Sequence, residues 1–146
     1  MIAMTIQLAL APAFVLVAIA HILALLMNRL ARIVDRSRLL LDLHGATEGT
    51  QHDMVVAEIR DSDRRIHLIG TAIRLLVLAS LAIGTSVAVL FLEEIAHLNL
   101  GSVAGGAFLL SMTLVMAALM FFLRETQIAA ANQRIPRAYL ELDREP

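Results

Sequence analysis

Three uncharged apolar stretches decide what this chain of 146 residues can fold into. They cover residues 8–27, 75–92 and 103–123, lengths of twenty, eighteen and twenty-one residues. A hydrocarbon core ~30 Å thick is crossed by about 20 helical residues. Helix is the form lipid requires, because each backbone N–H and C=O must find its partner inside the segment. A soluble three-helix bundle would carry one apolar stripe per helix, whereas these segments are apolar on every face. Composition agrees: 59% of residues are hydrophobic, 17% are charged, and the mean hydropathy is +0.78. The expectation is an all-α membrane protein with three transmembrane helices in one domain, residues 1–146.

The first stretch contains a small-x-small sequence, "AIA" at 18–20, that resembles a signal-peptide cleavage site. No Arg or Lys precedes it, and the arginines follow it, where they oppose export. A retained helix is expected. All twelve basic residues are Arg. Eight lie between the first two spans (Arg29, Arg32, Arg36, Arg38, Arg60, Arg64, Arg65, Arg74) and four follow the third (Arg124, Arg134, Arg137, Arg144). The N-terminal stub and residues 93–102 have none. The positive-inside rule then places the N-terminus outside, residues 28–74 inside, residues 93–102 outside and the tail 124–146 inside.

Residues 28–74 read as two helical arms broken at "HGATEGT", residues 44–50. Gly45 is positioned to cap the first arm, and Thr47, Thr50 or Gln51 stands near the start of the second. Val55, Ile59, Ser62, Ile66, Ile69, Ile73 and Leu76 alternate four and three apart, a heptad-like seam that enters the second span. Leu30, Ile33, Val34, Leu40, Leu41 and Leu43 form a rougher stripe on the first arm. Spans one and two are therefore expected to continue as a cytoplasmic antiparallel helical hairpin, each arm ~27 Å long at 1.5 Å per residue. Charge sorts by height. Arginines crowd the base, and Asp42, Glu48, Asp53 and Glu58 mark the tip. With a turn near residue 47, the numbers of facing residues total about 95, which predicts the ion pairs Asp35–Arg60 and Arg32–Asp63. Such exposed pairs contribute ~0–1 kcal/mol each. Arg29, Arg32, Arg36, Arg38, Arg64, Arg65 and Arg74 are expected to orient the chain and to contact anionic headgroups, at ~1 kcal/mol per residue.

Catalytic chemistry finds no footing. Without Cys there is no disulfide framework or thiolate metal site. No glycine-rich phosphate loop is present. Glu93 and Glu94 are sequence neighbours that a helix splays apart. Asp42, His44, His52 and Asp53 flank the turn without an established metal-ligand spacing. Residues 28–74 balance eight Arg against seven acids and interleave no aromatics, which argues against nucleic acid. No enzyme activity, cofactor or metal is expected. The polar groups inside the spans are His21, Ser80, Thr85, Ser86, Ser111 and Thr113. His21 reads either as an imidazole bonded across a helix contact or as a proton relay. Ser80, Gly84 and Ala88, four apart, offer a small face for helix packing.

The start "APA" (11–13), the run "NRLARIVDRSR" (28–38) and the arm ending "RRIHLIGTAIR" (64–74) resemble a bacterial membrane family known as domain-of-unknown-function family 2721. Asn28, Arg29, Arg32, Asp35, Arg36 and Arg38 match its most recognisable motif, and the resemblance covers most of residues 8–124. It implies a small three-span protein of the bacterial inner membrane, with no activity attached. Two function classes follow. One is a homo-oligomer that conducts ions past the polar residues of span two or three. The other is a scaffold or accessory subunit that offers its hairpin, with the acidic tip, to a protein partner or to anionic lipid.

Overall fold

The computed structural model is helical and describes residues 2–97 and 99–132. Helix α1 spans Ile2–His44, α2 spans Thr50–Ala96 and α3 spans Gly101–Asn132. All three are long and apolar enough to cross a membrane. At 1.5 Å per residue, α1 and α2 reach ~65 and ~70 Å, about twice a hydrocarbon core. Their charged halves therefore continue past the apolar runs without interruption.

The break between α1 and α2 falls where the sequence placed it, but its chemistry differs. Gly45 does not take the left-handed conformation. Instead the carbonyl of Leu43 accepts the Ala46 N–H and the Thr47 hydroxyl, both at 3.0 Å. The left-handed residue is Gly49, with φ 65° and ψ −138°, directly before α2. Only glycine takes that backbone geometry readily. At the other end of α2, His97 adopts the left-handed conformation that closes the helix. The Glu93 carboxylate lies against Gly101, in the first turn of α3, where negative charge suits the helix dipole.

Packing follows a seven-residue period. On α1 the buried residues are Pro12, Ile19, Leu26, Ile33 and Leu40. On α2 they form two interleaved sets, Ser62, Ile69, Leu76 and Ile83 beside Ala72, Ala79 and Ser86. On α3 they are Ala104, Ser111, Ala118 and Glu125, with Ala129 one turn later. A strict repeat of seven keeps a seam facing its partner through left-handed supercoiling. Helix α2 is central, and α1 and α3 pack on it. Between α1 and α2 the contacts Arg36–Glu58 and His44–His52 total 94 and 96 in residue number, beside the expected value of about 95. Between α2 and α3, Ser86–Ala104 and Arg65–Glu125 both total 190. The same register sets Ala79 opposite Ser111 and Ala72 opposite Ala118. Small residues on both sides permit close approach, and the Ser86 hydroxyl donates to the Ala104 carbonyl at 2.7 Å.

The large side chains point outward. Phe14 is 71% exposed, Leu109 68% and Leu81 63%. The protein itself buries only 17%, 22% and 11% of the apolar windows of the three helices. Surface this apolar needs an apolar solvent. The three helices belong in a membrane.

A buried glutamate at the three-helix junction

The charged ends of the three helices gather on one side. Arg29 follows the first apolar run by two residues, and Glu125 follows the third by two. Arg65 stands on α2 at the same level, in register with Glu125. The Glu125 side chain is fully buried. Its Oε1 accepts from Arg65 Nε at 3.0 Å and lies 2.9 Å from Arg65 Nη2. Its Oε2 lies 2.9 Å from Arg29 Nη2. That second contact is ionic but off the N–H direction, so Oε2 receives no hydrogen bond. The Arg29 guanidinium also lies over the Phe122 ring, 5.3 Å from its centroid, within cation–π range. One carboxylate thus ties α1, α2 and α3 together.

Taking a carboxylate out of water costs several kcal/mol unless good partners compensate it. Two guanidiniums do so here, and they leave the group of three with a net positive charge. Beside it opens a cavity of about 670 Å³. Arg29, Arg32, Arg36 and Arg65 line it, with Glu58, Asp61, Ser62 and Thr126, and Ile33, Ala129 and Ala130 form its apolar wall. Arg36 is held by Glu58, Nη2 to Oε1 at 2.8 Å. Arg32 turns its Nε back to the Asn28 carbonyl at 3.4 Å.

The hairpin ion pairs expected from the sequence are replaced. Arg36–Glu58 forms, while Asp35, Arg60, Arg32 and Asp63 are all exposed and take part in none of the ion pairs given for the described residues. The register was sound, but those four residues lie on the outer faces of their helices rather than flanking the seam. Arg38 and Arg64 are exposed as well. Arg74 reaches back along its helix to the Gly70 carbonyl and the Thr71 hydroxyl. That direction leads away from the apolar run, as snorkelling requires.

Inside the spans, His21 bonds the Val17 carbonyl of its own helix at 2.8 Å and faces outward, rather than bonding across a helix contact. The Ser80, Thr85 and Thr113 hydroxyls donate to carbonyls four residues earlier, and Ser111 donates to Phe108. Gly84 and Ala88 lie on an exposed face, with open space around Gly84, and Ser80 is half-buried. The small residues that pack against α3 are Ala72, Ala79 and Ser86 instead. At the turn, His44 and His52 bring their rings to 4.5 Å. No group of three metal-ligating side chains occurs among the described residues. Arg134, Arg137, Tyr139, Leu140 and Arg144 lie outside the described residues.

Sequence reasoning missed Glu125. Its signal was the repeat Ala104, Ser111, Ala118, Glu125, a carboxylate entering a run of small residues spaced seven apart, about two helical turns.

A family model described as "Protein of unknown function (DUF2721)" matches residues 9–135. The match runs past Arg124, where the sequence resemblance ended, and takes in the segment that holds Glu125. No curated protein and no solved structure matches.

Proposed function

The chain belongs to the DUF2721 family of proteins of unknown function, and we propose that it is a membrane-anchored scaffold of the bacterial inner membrane. Its three spans hold a cytoplasmic helical hairpin, made of the charged halves of α1 and α2, against the inner leaflet. One observation carries this reading: the intramembrane hydroxyls donate to the protein's own carbonyls, while the arginine-lined cavity lies beyond the apolar runs. The hairpin tip adds support. It exposes Leu39, Leu41, Leu43 and Met54 among the acids Asp42, Glu48 and Asp53. Exposed apolar side chains outside lipid favour contact with a protein partner, and the acids favour a basic one. The exposed arginines Arg32, Arg38, Arg64 and Arg74 suit anionic headgroups.

The absence of Cys makes a clean test available. A single cysteine at Glu48 should react with a membrane-impermeant maleimide only after cells are opened. One at Asn99 should react in intact cells. Purified protein in liposomes should pass no ions above empty vesicles. A reactive Glu48→Cys in intact cells would reverse the orientation, and a specific ion flux would replace the scaffold with a conductor.

A homo-oligomeric, ion-conducting assembly is the second reading, and a specific observation favours it. The Gly84–Ala88 face of α2 is small, exposed and unused within the chain, which suits close approach of another copy. Disulfide cross-linking of Ala88→Cys within membranes, together with ion flux, would establish it.

A further inference from the structure

We propose that the cavity at the three-helix junction binds one phosphate-type anion, and that a phospholipid headgroup is its source. The inference rests on the scaffold reading only for the leaflet involved.

The charge balance comes first. Four guanidiniums line the cavity, against Glu58 and Asp61 in its wall and Glu125 behind it. Four positive charges and three negative ones leave one unbalanced, which suits a monoanion such as a phosphodiester. Donor supply comes second. Glu125 engages Arg65 through hydrogen bonding but Arg29 only through an off-line ionic contact. Arg32, exposed in the cavity wall, turns its Nε to a carbonyl of its own helix. The guanidiniums of Arg29 and Arg32 supply the donors a phosphate oxygen accepts from, and the guanidinium fork matches its geometry. Glu125 acts as a positioning residue that fixes the height and direction of Arg29 and Arg65.

Size and depth then choose the source. A cavity of about 670 Å³ has the volume of sites for small organic molecules, about 300–1,000 Å³, more than bare phosphate fills. Its apolar wall, Ile33 with Ala129 and Ala130, offers contact for a glycerol backbone. Arg29 to Arg36 covers ~10 Å of helix, starting two residues past the apolar run. The headgroup layer is ~5–8 Å thick on each side of the bilayer. The arginines therefore stand at the depth of lipid phosphate.

Native mass spectrometry of the full chain, released from phosphatidylcholine nanodiscs containing phosphatidylglycerol, tests this. One retained phosphatidylglycerol per chain is expected. Arg32→Gln, at an exposed side chain that takes no part in the Glu125 junction, should lower retention about tenfold, the worth of one charge-assisted hydrogen bond. Arg38→Gln removes the same charge away from the cavity and should leave retention unchanged. In a parallel arm, inorganic phosphate is titrated into the protein in pure phosphatidylcholine nanodiscs while its thermal unfolding is followed. Stabilisation there that depends on Arg32, without lipid retention, would keep the anion site and assign it to free phosphate. Neither response, or equal loss in Arg32→Gln and Arg38→Gln, overturns the proposal. Retained lipid in a protein whose Glu48→Cys reacts from outside would overturn the scaffold's orientation and leave the anion site standing.

Discussion

Glu125 ranks the arginines of α1 and α2 by how they meet it. Arg65 approaches with Nε and Nη2 together, at 3.0 and 2.9 Å, whereas Arg29 makes one ionic contact out of line. Arg65→Gln should therefore destabilise more than Arg29→Gln. Glu125→Gln should cost about 2–3 kcal/mol, below the full penalty for breaking a buried pair because both arginines keep some solvent contact. The double change Arg65→Met with Glu125→Met should recover part of the loss, since α2 then meets α3 without an unpaired charge while the partly exposed Arg29 loses its carboxylate. Reversible unfolding in mixed micelles measures each value. A double variant as unstable as the sum of the singles would show that the two side chains do not act on one another. Sequence reading passed over Glu125 because a glutamate beside Arg124, past an apolar run, looks like an ordinary solvated helix end. Only its place in the seven-residue repeat of α3 separates it from one.

The elements were the most legible part of the chain. Apolar run length gave three helices, and the glycine-rich break gave the turn between α1 and α2. The alternation of four and three on the second arm gave a register near 95, which Arg36–Glu58 and His44–His52 bear out. Which residues face inward was less legible, because a helix apolar all round gives weak information about that. So the small triplet at 80, 84 and 88 stood out in sequence, while α2 buries Ala72, Ala79 and Ser86 against α3. The contrast is testable. Ala79→Leu should part α2 from α3 and cost about 1–3 kcal/mol, as overpacking does. Ala88→Leu, on the exposed face, should leave the unfolding of the monomer unchanged. If copies associate through that face, Ala88→Leu should dissociate them without unfolding the chain. The turn has its own prediction. Gly49 at φ 65° and ψ −138° holds a conformation that costs other residues about 1–3 kcal/mol. Gly49→Ala should lose stability in that range, whereas Gly45→Ala should not, because Gly45 has no positive φ and its added carbon meets only the Asp42 carbonyl at 4.0 Å.

For the whole molecule, sequence and structure assign the arginines two tasks. Positive charge orients a membrane protein during insertion, a task that depends on where the charge lies along the chain and not on what it touches. Glu125 needs particular guanidiniums, at particular places. The two tasks separate because Arg32 and Arg38 are exposed and stand apart from Glu125, whose ion pairs are with Arg29 and Arg65. Replacing Arg32 and Arg38 by Gln should raise the fraction of chains inserted the wrong way, read by labelling at Glu48→Cys. The unfolding of correctly inserted chains should stay as it was. Replacing Arg29 and Arg65 by Gln removes the same amount of charge. It should disturb orientation to a similar degree and also lower stability, because the buried carboxylate loses both partners. Were the two double variants to lower stability equally, the guanidiniums would be acting through net charge alone, and the junction would not be what fastens the three helices.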